Sequence, residues 1–120
     1  MLDMNVSVVA VDRSSSKIDM RAQYVNYDIF DNNKSAYDDL GQPDALLHLA
    51  WSDGFNHYAP SHIHNLEKHY NFIKKFIDDG CTSITVMGTV HEIGYHEGKV
   101  NEFSPCSPLS NYGIAKNALR

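Results

Sequence analysis

Four short runs of apolar and β-branched residues, separated by polar and amphipathic segments, constrain the fold of this chain more than any other feature. We predict that they form strands over residues 6–11, 24–27, 45–50 and 83–88. Most of these runs are apolar at successive positions, which indicates strands that are buried on both faces. Strands of this kind that alternate with helices are typical of a parallel sheet with helices covering both faces. The sequence therefore predicts an α/β fold.

The segments between and after the strands carry helix signals. A short helix is predicted over residues 33–40, and a longer amphipathic helix runs from a Ser N-cap after a proline to a glycine, over residues 61–80. A last helix starts near Tyr112, after a loop rich in Gly and Pro. Three- and four-residue steps give the long helix a predicted buried stripe, which consists of Ile63, Leu66, Tyr70, Ile73 and Ile77.

Composition narrows the class of protein. The chain has 120 residues, enough for one domain (1–120), and its net charge of −5 argues against nucleic acid or an anionic membrane surface as a partner. No apolar run approaches the ~18 residues of a membrane span. The first residues have no signal-peptide pattern, and Cys81 and Cys106 are too few for a disulfide framework. We therefore predict a cytoplasmic protein with no membrane partner.

Polar side chains follow the predicted strands at their carboxyl ends. Asp12, Asp28, His48 and Thr89 each lie at or just after the end of a run. Ligands of open α/β sheets bind at the carboxyl ends of the strands. These four endings, met in order along the chain, predict a ligand site at that edge.

The spacing Tyr-x-x-x-Lys places a phenol and an ammonium on one face of a helix, where the ammonium favours the phenolate and suits proton transfer. The spacing alone is weak, because the chain contains it three times: Tyr70/Lys74, Tyr95/Lys99 and Tyr112/Lys116. We interpret Tyr70 as core packing and Tyr95 as a coincidence in a loop. Tyr112 differs because it opens a helix 23 residues after Thr89.

Motifs in this order resemble one known family. They are Asp28-Ile29, His48-Leu49-Ala50, Asn65, Thr89 with Gly94, and Ser107-Pro108 leading to Tyr112-Gly113-Ile114-Ala115-Lys116. They are similar to the extended short-chain dehydrogenase/reductase family, in its NAD-dependent epimerase/dehydratase group, which mostly acts on nucleotide sugars. The resemblance implies a partial Rossmann-like, doubly wound parallel sheet of about four strands with flanking helices.

The resemblance also implies a catalytic set. Tyr112 would be the acid/base, Lys116 would hold the nicotinamide ribose and assist Tyr112, and Thr89 would hydrogen-bond the reacting hydroxyl or carbonyl. The implied function is that of the catalytic middle of an enzyme that transfers a hydride between NAD(P) and a nucleotide sugar.

Further residues would bind the cofactor by the same resemblance. Asp12 would take the adenosine ribose hydroxyls, Asp28 and Ile29 would lie beside the adenine, and Asn65 would order water and backbone near the lysine. The segment His48, Leu49 and Ala50 completes this cofactor-binding set. Arg13 could accept a 2′-phosphate, so NADP stays open, although the acidic Asp12 favours NAD.

Two departures from the family pattern qualify these expectations. No glycines stand in a G-x-G-x-x-G spacing, so the turn that cradles the pyrophosphate is missing. We therefore expect this chain to correspond to the middle of an enzyme, to be inactive by itself and to bind its cofactor weakly.

The residues after Thr89 bear on the type of reaction. Thr89 is followed by Val90-His91, where the family's dehydratases have Asp-Glu, and Glu92 comes one place too late. We therefore expect epimerase or 4-keto-reductase chemistry rather than dehydration.

The sequence also bears on a metal site and on a non-catalytic role. The histidines lack metal-ligand spacing: His91 and His96 are five residues apart, not the four of H-E-x-x-H, so we predict no metal site. The missing glycine turn leaves open a second function, that of a non-catalytic remnant or interaction module with the same fold.

The resemblance also implies a gap in the sheet. In the family a first strand, which has no counterpart among the predicted strands, separates the strands that residues 6–11 and 46–50 resemble. We expect this gap to be closed by direct pairing of those strands or by a partner chain, such as a second copy.

Overall fold

The computed structural model describes residues 1–14, 17–31 and 35–120, which contain four short strands and four α-helices in the order β–β–α–β–α–α–β–α. The strands are β1 (Val9–Asp12), β2 (Gln23–Asn26), β3 (Ala45–His48) and β4 (Ser83–Val86). The helices are α1 (Ala36–Asp39), α2 (Ser61–His64), α3 (Leu66–Asp78) and α4 (Asn111–Leu119), with short 3₁₀ helices at Leu2–Met4 and Val90–Glu92. The α/β class is confirmed. The first two residues of the helix predicted over 33–40 lie outside the described residues.

The strands form two parallel pairs. β1 pairs with β2, with Val11 opposite Val25, and β3 pairs with β4, with Leu46 opposite Ile84. Among the described residues the sheets remain two-stranded, so the first of the two expected ways of closing the gap, direct pairing of β1 with β3, is wrong. The second, a partner chain, stays a prediction. The architecture is consistent with a partial Rossmann-like fold whose two halves are held together by side chains rather than by a continuous ladder.

One apolar core joins the two sheets. Phe72 and Phe76 of α3 pack against Tyr27 and Leu40, and β1, β2, β3 and β4 all contribute partly buried aliphatic residues to the same cluster. The rings of Phe72 and Phe76 lie 4.9 Å apart, and Phe76 is fully buried. Burial of aromatic side chains is the largest single source of apolar stabilisation in a domain of this size. α3 is therefore the element that fixes the two sheets relative to each other.

The buried face of α2 and α3 differs from the predicted stripe. His62, His69, Phe72 and Phe76 are buried, and the helix breaks between α2 and α3 at Asn65. Among the predicted stripe, Ile63, Tyr70 and Ile77 are 42%, 55% and 56% exposed. Our interpretation of Tyr70 as core packing is therefore wrong. The buried face therefore lies one residue earlier along the helix than the predicted stripe. Two phenylalanines and two histidines, each with a specific partner, occupy the interior in place of the predicted residues.

The helices cover only one face of the β3–β4 sheet in the described part of the chain. Leu47, Leu49 and Met87 point to the other face and are about half exposed. The prediction that helices cover both faces does not hold there. None of the described helices combines the length and the hydropathy that crossing a bilayer requires.

Candidate active site

Thr89 begins a short helix directly after β4. Its side-chain oxygen accepts from the His91 backbone N–H at 3.4 Å, and its own backbone N–H donates to the Glu92 carboxylate at 2.7 Å. The two bonds form a capping box that starts the 3₁₀ helix Val90–Glu92. The arrangement fixes the Thr89 side chain at the carboxyl end of β4, where the sequence predicted a ligand group.

Glu92 is a structural residue of this site that sequence reasoning missed. Its carboxylate is buried beneath Gly88, where any added Cβ would lie 3.2 Å from a carboxylate oxygen. The Thr-x-x-Glu spacing from Thr89 is the capping-box signal that could have identified it. Because the carboxylate is committed to the Thr89 backbone, it is not free to act as an acid or base on a substrate.

The N-terminus of α4 packs closely on this helix. The Ser110 hydroxyl accepts from the Gly113 N–H, and the Tyr112 N–H donates to the His57 carbonyl at 3.0 Å. A Cβ at Gly113 would lie 2.3 Å from the His91 carbonyl oxygen, so only glycine permits this approach. The close contact places Tyr112 beside the segment that starts at Thr89.

Lys116 reaches the same strand end from one turn further along α4. Its ammonium group donates to the Met87 carbonyl at 2.7 Å and lies 4.2 Å from the centre of the Trp51 ring. Lys116 is only 4% exposed. Burial lowers the pKa of Lys116, and the negative charge of Glu92 opposes that effect. The predicted catalytic residues Thr89, Tyr112 and Lys116 therefore occupy one corner of the fold.

An aromatic cluster surrounds Tyr112. Its ring stacks on His57 at 5.4 Å between ring centres and lies 5.2 Å from His62 and 5.5 Å from His91. His57 and His91 are themselves 4.0 Å apart and line an open cleft of about 320 Å³ beside the helix start. The sequence predicts no role for His57 or His62. No local pattern marks them as part of this cluster, because both rings contact Tyr112, which lies at least 50 residues further along the chain.

His48 belongs to a buried histidine pair. Its Nε2 lies 3.0 Å from Nδ1 of His69, and both rings are almost completely buried. Burial lowers the pKa of each to about 4, with a smaller contribution from the Lys116 charge. Both rings are therefore neutral near neutral pH. The His48 side chain is committed to His69, so the cofactor-binding role implied for it would fall to its backbone.

The remaining predicted cofactor-binding residues lie at the ends of other strands. Asp12 ends β1, and its carboxylate accepts from the Arg13 N–H at 2.6 Å; both side chains are exposed. Asp28 follows β2, is exposed, and caps the Phe30 N–H at 2.9 Å, while Ile29 packs against the core. Leu49 and Ala50 are exposed after β3, and the Asn65 amide donates to Ser52 Oγ at 3.2 Å.

The other two Tyr-x-x-x-Lys pairs lie outside this corner. Tyr70 is exposed on α3, and Lys74 forms an ion pair with Asp78 instead. Tyr95 is exposed in a loop, and its hydroxyl donates to Glu97 at 2.7 Å. Only Tyr112 and Lys116 are packed against the end of β4.

A nicotinamide dinucleotide fits these residues only in part. The Lys116 ammonium and the Tyr112 phenol suit a ribose and a reacting hydroxyl, and the exposed Asp12 carboxylate suits the hydroxyls of a second ribose. The glycines of the chain lack the spacing of a pyrophosphate cradle. In the described part of the chain, no group of three or more His, Cys, Asp or Glu side chains is arranged to hold a metal ion.

Comparisons with known proteins bear on the family of this chain. A dTDP-6-deoxy-L-talose 4-dehydrogenase (NAD(+)) of Aggregatibacter actinomycetemcomitans is 48% identical over 94 residues, which are 78% of this chain and 35% of that protein. An uncharacterized UDP-glucose epimerase, YtcB, of Bacillus subtilis (strain 168) is 30% identical over 78 residues, 61% of this chain and 25% of that protein. The chain thus spans about a third or less of these relatives. The family model of the NAD dependent epimerase/dehydratase family matches residues 1–120, and the chain belongs to that family.

Proposed function

We propose that this chain supplies the catalytic centre of an enzyme that interconverts a secondary alcohol and a ketone on a nucleotide-bound sugar, with NAD(H) as the hydride carrier. The observation that carries the proposal is the meeting of Tyr112 and Lys116 at the end of β4, beside Thr89, while the other two Tyr-Lys pairs lie elsewhere. The relative of 48% identity, named as a sugar-nucleotide 4-dehydrogenase, favours the 4-position of a 6-deoxyhexose.

Each residue has a distinct task in this proposal. The Tyr112 phenolate takes the proton of the sugar hydroxyl as the hydroxyl becomes a carbonyl, and returns it in the reverse direction. Lys116 holds a positive charge beside that phenolate and binds a ribose hydroxyl. Thr89 donates a hydrogen bond to the reacting oxygen. The nicotinamide, when bound, accepts or supplies the hydride.

Glu92 bears on the type of reaction. Elimination of water from a sugar needs an acid and a base next to the reacting carbon, and the carboxylate of Glu92, three residues after Thr89, is bound to the Thr89 backbone. We therefore propose dehydrogenase or ketoreductase chemistry rather than dehydration. Epimerisation uses the same proton transfer at Tyr112, and the likeness to a UDP-glucose epimerase keeps it as the second candidate.

Replacing Tyr112 tests the proposal. In an enzyme that carries this segment, Tyr112→Phe removes the proton acceptor but keeps the ring, so turnover of a nucleoside-diphosphate 6-deoxyhexose with NAD should fall by ~10²–10⁴. Tyr70→Phe and Tyr95→Phe carry the same spacing outside the corner and should leave turnover within a few-fold. Full activity of Tyr112→Phe would reject the proposal in favour of a non-catalytic module.

Affinity for the cofactor gives a second test. The missing cradle removes several charge-assisted hydrogen bonds, each worth ~1.5–3 kcal/mol. Calorimetric titration of this chain with NAD should therefore give a dissociation constant of ~1 mM or weaker. A low-micromolar constant would mean that other residues replace the cradle.

We also propose a second copy of the chain as a partner. The exposed Ile63, Tyr70 and Ile77 recur at seven-residue intervals along one side of α2 and α3. This spacing is that of a helix–helix seam. An antiparallel pairing of two such seams would bring Glu67 of each copy toward Lys74 of the other, where Lys74 would share its ammonium group between Asp78 of its own helix and Glu67 of the other copy.

Sedimentation velocity tests this partner. The chain should sediment as a dimer at micromolar concentration, and Tyr70→Glu should dissociate it because a carboxylate would enter the centre of the seam. Tyr95→Glu changes another exposed tyrosine, away from the seam, and should leave the dimer intact. A chain that is monomeric at ~100 μM has no such partner surface.

A further inference from the structure

Lys116 places an ammonium group in a buried position where few polar partners are available. Its hydrogen bond goes to the Met87 carbonyl, and the ring of Trp51 lies 4.2 Å from its nitrogen. A charge removed from water needs compensation, and the face of an indole ring is the aromatic surface that attracts a cation best. The Trp51 ring therefore contacts Lys116 at Nζ, the atom that carries the positive charge.

Trp51 is itself held from several sides. Its ring stacks on His69 at 4.3 Å with the two planes 4° apart. Its indole N–H donates to Nδ1 of His62 at 3.0 Å, and Nε2 of His62 lies 2.8 Å from the Asn56 carbonyl. An indole nitrogen can only donate, so His62 must accept at Nδ1 and carry its proton on Nε2. These contacts fix both the tilt and the in-plane rotation of the indole.

The same ring also contacts the other half of the Tyr-x-x-x-Lys pair. The edge of Trp51 meets Tyr112 at 6.0 Å between ring centres and an angle of 68°. Trp51 comes from the loop after β3, so it reaches α4 from an element distant in sequence. It is the side chain through which that loop touches both residues.

We propose that Trp51 is a positioning residue for Lys116: the indole face, fixed by His62 and His69, holds the ammonium group in place and keeps it charged although it is shielded from water. This inference rests on the proposed function in one respect, namely that Lys116 takes part in catalysis. The charged groups that face this ammonium are Glu92, which favours its charged form, and His48 and His69, which oppose it when protonated.

The resonances of the Lys116 ε-methylene group test the proposal in the isotope-labelled chain. They are identified by their loss in Lys116→Arg and should be shifted upfield by the indole ring current. Trp51→Leu keeps an apolar side chain but removes the π face, so the upfield shift should vanish and the pKa of Lys116 should fall further. Trp51→Phe keeps a ring face and should preserve part of both effects.

A matched control separates positioning from packing. Phe76→Leu removes a ring of the core, which lies away from Lys116, and should lower the stability of the fold while leaving the Lys116 signal and its pKa unchanged. If Trp51→Leu does not fold, Trp51→Phe carries the comparison. The proposal is overturned if Lys116 behaves alike in the wild-type chain and the Trp51 variants, or if Phe76→Leu moves its signal as much. These readouts need neither cofactor nor turnover, so the proposed function can fail in the Tyr112→Phe assay while this inference stands.

Discussion

The buried pair His48 and His69 should make the fold sensitive to mild acid. Each has a pKa of about 4 in the folded chain against an ordinary value of 6.5. Between these values the unfolded chain binds protons that the folded chain refuses, so stability is complete above about pH 6.5 and is lost as the pH falls toward about 4. From about pH 7 to about pH 5 the loss is ~2 kcal/mol for each imidazole, a large part of the 5–15 kcal/mol typical of a domain.

Urea unfolding at several pH values measures this loss, with the fluorescence of Trp51, the single tryptophan, as the probe. The interval from about pH 6.5 to about pH 5 is decisive, because ordinary carboxylates titrate below it. His69→Gln removes one titrating ring and keeps a hydrogen-bonding partner for His48, so the slope of stability against pH should fall to about half. His64→Gln, on an exposed histidine, should not change the slope. Equal stability at the two ends of the interval would refute the burial argument.

Two substitutions test the packing around the strand end. Gly113→Ala would press a methyl group against the His91 carbonyl and should cost ~2 kcal/mol in urea unfolding, whereas Gly54→Ala meets no atom within 4 Å and should be close to neutral. Equal costs would show that α4 does not approach so closely. Glu92→Gln removes the charge that supports Lys116 but keeps an oxygen that accepts from the Thr89 N–H, so NMR titration should find the Lys116 pKa lower still while the capping box is kept. A rise in that pKa would contradict the proximity of the two charges.

The meeting of Thr89, Tyr112 and Lys116 in one corner of the fold could be predicted because local rules place these residues. Thr89 ends an apolar run, and parallel strands bring their carboxyl ends to one edge. Tyr112 and Lys116 share a face through helical spacing. Of three identical spacings, the one that follows a strand end and a serine cap is packed at the site. The strands and the last helix were predicted for the same local reasons.

The rest depended on contacts between residues distant in sequence. The stripe that included Tyr70 had correct helical spacing, yet the buried face was decided by His69 and its partner His48, 21 residues away. The separation of β1 from β3 likewise reflects pairing that no local pattern specifies. Hydrophobic periodicity reports which residues can be buried together and not which face meets a partner.

The residues that the resemblance assigns to cofactor and chemistry differ in their exposure. Asp12 and Asp28 lie at and just after the ends of β1 and β2 and are exposed, so ligand groups that arrive from solvent can reach them. Lys116, on α4 beside the end of β4, is buried, and a charge there acts more strongly on its neighbours because water does not screen it. Phe30, which follows Asp28 and contacts His69 at 4.9 Å between ring centres, connects the two regions. Exposed carboxylates and a buried ammonium group therefore lie near the ends of two separate sheets, which the side chains of the shared core hold together.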